Sequence, residues 1–326
     1  MIKGMIPLYL FSLPRSGSTL IQRMIGAHDQ VATTSEPWIL LPYLYTLKEK
    51  GIYSEYEHKY AVIAIEDFCR ELPRGKDDYL EELRNFVLRL YSKGARKDVT
   101  YFLDKSPRYH LIVEDIFRLF PQGKFIFLWR NPLAIIASMM ETWANGKWNA
   151  YEFKVDLFDG FSNLLAAHEK HAGHSVALRY EDLIDNPECE MKRLFEYLEL
   201  PFDPELLSRL TNVQLKGRMG DSLGGESFKA VSKKPLENWK GTLANPIRKA
   251  WCRHYLKWIG EKRLAVMGYK LDDLLSELDS IPFGLRFVGS DTLRILYGIL
   301  FCIVELRILK HKLELLPRWH RVHRNG

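Results

Sequence analysis

Two short stretches of this chain carry residues whose types and spacing suit the holding of phosphate. In the first, the apolar run Tyr9 to Ser12 passes through Leu13-Pro14-Arg15-Ser16-Gly17-Ser18-Thr19 into an amphipathic segment. A small polar turn between a strand and a helix leaves several backbone N–H groups aimed at one spot, beside the positive end of the helix dipole. Arg15 adds a cation there. In the second, Phe125-Ile126-Phe127-Leu128-Trp129-Arg130-Asn131-Pro132 ends an apolar run on an arginine, and Ser138 follows eight residues later, about two helical turns on. Arg130 and Ser138 can then meet one phosphate, the guanidinium as a planar fork and the hydroxyl as a further donor. The plainer alternatives are a surface ion pair for Arg130 and a small residue in a helix contact for Ser138. The chemistry indicated is nucleotide binding through two phosphate positions.

Such groups need a sheet to place them. Leu8–Ser12, Thr100–Asp104, Lys124–Trp129 and Ser175–Tyr180 are short, apolar and bounded by turn or charged residues, and they read as strands. The stretch from Phe125 to Trp129 is apolar on both faces, as in a parallel sheet covered by helices on either side. Helical spacing of apolar residues runs over Glu55–Cys69 and Tyr79–Tyr91, and Pro187–Leu198 and Pro204–Leu210 read as helices with proline near the start. Between Leu215 and Trp239 the periodicity stops, and Lys216, Arg218, Lys229, Lys233 and Lys234 accumulate. That stretch reads as one long loop over an anionic ligand, with a disordered surface loop as the alternative.

Composition sets the outer limits. With 326 residues, 47% hydrophobic and 27% charged, the chain suits one globular α/β domain with an appendage. We place the domain at residues 1–280 and a helical C-terminal extension at 281–326. A net charge of +6 favours anionic ligands but is too small for a nucleic-acid surface. Cys69, Cys189, Cys252 and Cys302 are far apart in sequence, which suggests neither a zinc site nor a disulfide framework. Met1 to Met5 leads straight into the first strand with Lys3 as its one basic residue, so no secretory leader and a cytoplasmic location are expected. Leu293–Val304 is apolar but interrupted by Arg294, and is shorter than the ~20 residues of a membrane span. From Leu293 to Leu316 apolar residues keep helical spacing, and Pro317–Arg324 is basic and aromatic. This tail suits a peripheral contact with an anionic membrane, a helix packed on the domain, or a homodimer contact.

The first loop lacks the Gly-Lys of a G-x-x-x-x-G-K-[ST] phosphate loop. Pro14-Arg15-Ser16-Gly17-Ser18-Thr19 instead resembles the 5′-phosphosulfate loop of sulfotransferases that use 3′-phosphoadenylyl sulfate (PAPS). Arg130 and Ser138 are similar to that family's 3′-phosphate site. Asp104-Lys105-Ser106-Pro107 with Leu119-Phe120-Pro121 resembles a segment of the glycan and tyrosylprotein branches, and Arg179-Tyr180-Glu181-Asp182-Leu183 with Pro187 and Phe195 resembles a later structural segment. The likeness covers most of residues 8 to 270.

The resemblance implies a three-layer, P-loop-NTPase-like α/β fold, PAPS as cosubstrate, no metal, and a hydroxyl acceptor, most naturally a sugar or polysaccharide. Ser16, Gly17, Ser18 and Thr19 would bind the 5′-phosphosulfate. Glu36, in Thr33-Thr34-Ser35-Glu36-Pro37-Trp38, would be the base; its alternative is an acid favoured at a helix start. Lys105 would contact the sulfate and bridging oxygen, or else be a solvated strand-end lysine, and Arg15 would neutralise the leaving group. Ser227, Lys233 and Lys234 would cover the cosubstrate. None of the ten histidines falls in an assignable motif; His28 and His110, nearest the presumed site, read as structural or surface residues. Two rivals stand beside this reading: a kinase using Mg-ATP, with Asp104 as the metal-holding acid after Val99–Leu103, and a non-catalytic nucleotide- or membrane-binding protein.

Overall fold

Alternation along the strands sorts side chains onto two unlike faces of one sheet. The computed structural model describes residues 4–54, 56–95, 98–213, 215–217, 219 and 239–304, the last three of these as backbone. Its contacts divide the chain into two compact units, residues 1–131, 156–236 and 262–269 in the first and 132–155, 237–261 and 270–326 in the second. In chain order the elements are β1 (Ile6–Ser12), α1 (Ser18–Gly26), β2 (Val31–Thr33), α2 (Leu40–Tyr45), α3 (His58–Arg70), α4 (Lys76–Ala95), β3 (Tyr101–Asp104), α5 (Val113–Leu119), β4 (Lys124–Trp129), α6 (Pro132–Ala144), α7 (Phe161–Lys170), β5 (Val176–Arg179), α8 (Tyr180–Asp185), α9 (Pro187–Tyr197) and α10 (Leu206–Arg209). A 3₁₀ turn, Pro107–Leu111, follows β3, and helices at Pro246–Val266, Leu271–Ser280 and Val288–Val304 come later.

The first unit is built on five parallel strands in the order β2-β3-β1-β4-β5. Leu8 and Leu10 of β1, Leu103 of β3, Ile126 and Leu128 of β4 and Leu178 of β5 form one aliphatic face. Ile21 and Met24 of α1, Leu183 of α8 and Leu194 of α9 pack against it. The intervening residues form an aromatic face. Tyr9, Phe11 and Phe125 stack with ring centres 6.0–6.1 Å apart, Phe117 of α5 lies 3.9 Å from Phe125, and Tyr91 of α4 stacks on Phe102 at 4.4 Å. Each such ring pair adds about 0.5–1.5 kcal/mol beyond its buried area. Helices on both faces make the three layers that the sequence resemblance implies.

The four expected strands are present within a residue or two, except that Tyr180 opens α8 instead of closing β5. β2 was not anticipated, because three residues are too few to show alternation. Helix α3 begins at His58, after Glu57 at φ +54, and α4 extends the expected Tyr79–Tyr91 helix at both ends. The Pro204–Leu210 segment is helical only from Leu206 and then tightens into a 3₁₀ turn to Asn212.

The second unit contains α6 and most of the later helices. At its centre Arg248 and Asp291, both buried, form an ion pair at 2.7 Å, and Asn245 Nδ2 donates to the same Asp291 oxygen at 3.0 Å. In the Val288–Val304 helix Asp291 thus points inward, as does Arg294, which donates to Asn149 Oδ1 at 2.7 Å. Leu293, Leu296, Tyr297 and Leu300 are exposed on the other side. Among the described residues no helix is long and apolar enough to cross a membrane. The basic Pro317–Arg324 tail lies outside the described residues.

Candidate functional site

The loop after β1 is held by groups that arrive from β4 and α8. Gly17 sits at φ +89, and a Cβ there would meet the Tyr180 ring at 2.3 Å, so both conformation and space require glycine. Arg15 is also left-handed, at φ +67, a conformation that costs a non-glycine residue about 1–3 kcal/mol and recurs where loops clamp ligands. Its carbonyl accepts a 2.7 Å hydrogen bond from Arg130 Nη1, and the Arg130 guanidinium lies 4.5 Å over the Tyr180 ring. Arg130 is buried, and that burial pulls its pKa below the usual arginine value. Ser16 is fully buried, and its Oγ has no hydrogen-bond partner among the described residues. Ser18 is buried and Thr19 half-buried at the start of α1.

Glu36 and Lys105, which are 69 residues apart in sequence, meet beside this loop. Lys105 follows β3 at the C-terminal edge of the sheet, where ligands of open α/β proteins bind. Its Nζ donates to Glu36 Oε1 at 2.7 Å and to Thr19 Oγ1 at 3.4 Å. Lys105 is therefore not a solvated strand-end lysine: its side chain is 2% exposed and that of Glu36 10%. Trp38 Nε1 donates to the other Glu36 oxygen at 3.2 Å. Gln22 of α1 donates to Thr33 Oγ1 at 2.8 Å and to the Thr34 carbonyl at 2.6 Å, which ties the segment before Glu36 to the loop's own helix.

Asp104 turns away from the loop. Its carboxylate, buried with 1% exposure, accepts from Tyr91 (2.5 Å), Tyr109 (2.9 Å) and Ser106 (3.0 Å). Burial pushes the Asp104 carboxyl up to about 6, against the opposing pull of the three hydroxyls and of Lys105. That role was not anticipated, since the sequence offered Asp104 as a metal-holding acid or as part of the Asp104–Pro107 segment; Tyr180 stood within a segment read as structural, and Trp38 beside Glu36 with no role of its own. His28 and His110 are both buried. His28 Nδ1 accepts from Gln30 N–H at 3.0 Å, and His110 Nε2 pairs with Asp156 at 2.8 Å, so both are structural.

Ser138 is half-buried on α6, in the second unit. Of the long loop residues 215–217, 219 and 239 are described, and the Lys216 carbonyl accepts from Thr34 Oγ1 (3.0 Å) and Ser35 N–H (3.3 Å). Ser227, Lys233 and Lys234 lie outside the described residues.

A parallel sheet of this order, with a Ser/Gly turn between β1 and α1 at its C-terminal edge, defines a P-loop-like α/β fold. The sequence model described as "Sulfotransferase family" matches residues 7–204, more than half of the chain, and the chain belongs to that family. It is 26% identical over 261 residues to the nodulation protein NoeE of Sinorhizobium fredii, covering 72% of this chain and 60% of that one. It is 24% identical to protein-tyrosine sulfotransferase A of Caenorhabditis elegans, covering 87% and 67%. A 147-residue stretch is 26% identical to the omega-hydroxy-beta-dihydromenaquinone-9 sulfotransferase Stf3 of Mycobacterium tuberculosis, covering 41% and 37%. The chain thus spans 60% of the length of NoeE, and 26% of a related Aquifex aeolicus protein. Among solved structures, the sulfotransferase domain of the Synechococcus PCC 7002 olefin synthase superposes with a TM-score of 0.51 at 22% identity, covering 73% of this chain and 88% of that domain. At that identity the likeness speaks for the fold.

Proposed function

We propose that this chain transfers a sulfuryl group from PAPS to a hydroxyl acceptor. The observation that carries the proposal is the position of Lys105 Nζ, 2.7 Å from Glu36 and 3.4 Å from Thr19 of the phosphate loop. Base, cation and phosphate loop form one constellation. The residues fit an anionic donor: Ser16 Oγ is a buried donor without a partner among the described residues, the first turn of α1 offers N–H groups, and Arg15 and Lys105 are cationic.

The donor, when bound, supplies an activated sulfuryl group joined to a phosphate leaving group. Glu36 takes the proton from the acceptor hydroxyl as its oxygen bonds to sulfur. Lys105 and Arg15 stabilise the charge that grows on the oxygen released from sulfur. Trp38 Nε1 and Lys105 Nζ fix the orientation of the Glu36 carboxylate. Arg130 and Ser138 are proposed for the 3′-phosphate on their sequence spacing, and Ser227, Lys233 and Lys234 for covering the donor on the family resemblance. The transferase body is placed in residues 1–280. For the acceptor we favour a sugar hydroxyl, one of the two acceptor classes of the glycan and tyrosylprotein branches that the Asp104–Pro107 segment resembles. Two relatives are named instead for tyrosine and for a hydroxylated menaquinone, so a screen of sugar, tyrosine and lipid hydroxyls with labelled PAPS decides the class.

The mechanism is tested with Glu36→Gln. Binding of adenosine 3′,5′-bisphosphate is expected to persist and transfer to fall by roughly 10²-fold or more; unimpaired transfer would remove Glu36 from the base role.

A further inference from the structure

The turn that carries Glu36 is held in a disfavoured shape. Trp38 adopts φ +54, which is rare for a bulky residue, and the indole N–H thereby returns to Glu36. Two backbone hydrogen bonds pin this turn to the segment after β3. The N–H of Trp38 donates to Ser106 Oγ and that of Leu40 to the Tyr109 hydroxyl, each at 3.2 Å. Both oxygens in turn donate to Asp104, Ser106 to Oδ1 at 3.0 Å and Tyr109 to Oδ2 at 2.9 Å. Asp104, Ser106 and Tyr109 are each 1% exposed.

A hydroxyl has one hydrogen, and an ionised carboxylate only accepts. Because Asp104 takes the hydrogens of Ser106 and Tyr109, those oxygens can only present lone pairs to Trp38 and Leu40. We infer that Asp104 is a positioning residue for sulfuryl transfer: it sets the direction of two buried hydroxyls, which clamp the Trp38–Leu40 turn and so hold the Glu36 carboxylate against Lys105. The inference rests on the reading of Glu36 as the base. A purely stabilising role fits less well, because burying a charge opposes folding and an apolar replacement is often tolerated. Burial does act against the ionised form of Asp104.

Three variants separate the roles. Asp104→Asn keeps the shape but puts an N–H₂ that must donate where a carboxylate oxygen accepted, so at least one hydroxyl loses the acceptor that fixes the direction of its hydrogen. Ser106→Ala and Tyr109→Phe keep the carboxylate and delete one clamping oxygen each. Each variant is expected to lower kcat roughly tenfold or more, with the KM for PAPS and the Kd for adenosine 3′,5′-bisphosphate within about twofold of the parent. Glu36→Gln, measured alongside, is expected to bind and not transfer. Parental kcat in the three variants with an inactive Glu36→Gln overturns the positioning role alone. Unimpaired transfer by Glu36→Gln overturns the base assignment and this inference with it. Losses of kcat matched by losses of nucleotide binding would make Asp104 merely structural. Should Asp104→Asn fail to fold, the Ser106 and Tyr109 variants decide by the same criteria.

Discussion

Lys105 and Asp104 are adjacent in sequence and opposite in use. Alternation at the end of β3 sends one side chain toward the phosphate loop and the other into a cage of hydroxyls. The cage gives Asp104 a measurable signature. Its carboxyl titrates near 6 in the folded chain against 3.8 for the free group, so the folded state holds this proton more tightly than the unfolded one. Its contribution to stability is therefore full below about pH 3.8 and is lost as the pH rises through about 6, by on the order of 3 kcal/mol. The groups facing it are Lys105 and the phenols of Tyr9, Tyr91 and Tyr109; burial raises the pKa of all three phenols. Urea denaturation between pH 4 and 7 is expected to show the wild type losing stability relative to Asp104→Asn as the pH rises. Parallel curves would contradict the raised carboxyl.

Between elements, the loop after β1 depends on a residue from the end of β4. Arg130 bonds the Arg15 carbonyl and stacks on Tyr180, whose ring also fills the space above Gly17. Removing the guanidinium frees a loop that is otherwise held with Arg15 left-handed. Arg130→Ala is expected to weaken adenosine 3′,5′-bisphosphate binding at least about tenfold, read by calorimetry; unchanged affinity would rule out both the buttress and the phosphate role. Much of this framework was legible in the sequence. The run from Phe125 to Trp129, apolar on both faces, predicts a buried central strand, and Pro14–Thr19 predicts the turn beside it. The pairing of Glu36 with Lys105 was not legible as a contact, since 69 residues and four elements separate them. The cage around Asp104 joins α4, β3 and the 3₁₀ turn, and tyrosines at helical spacing look like ordinary core residues until the fold brings them together.

At the largest scale, a buried ion pair ties together elements of the second unit. In the second unit Arg248 and Asp291 link the Pro246–Val266 and Val288–Val304 helices, and Arg248 also donates to the carbonyls of Thr242 (2.9 Å) and Gly146 (2.8 Å). Breaking a buried pair from one side strands the other charge, at a cost of about 3–5 kcal/mol. Arg248→Ala is expected to lose stability on that scale in chemical denaturation, whereas replacing both partners by apolar residues of similar volume should lose much less. Equal losses would show that packing, not charge, governs the site. In the first unit, the proposed sulfuryl transfer rests on Glu36, Lys105 and Thr19 of the loop after β1 standing together. It is tested most directly by transfer from labelled PAPS to a panel of hydroxyl acceptors, comparing wild type and Glu36→Gln at matched adenosine 3′,5′-bisphosphate occupancy. Labelled product is expected from the wild type and roughly 10²-fold less or none from the variant. Equal transfer by both proteins, or none from a wild type that binds the nucleotide, would contradict it.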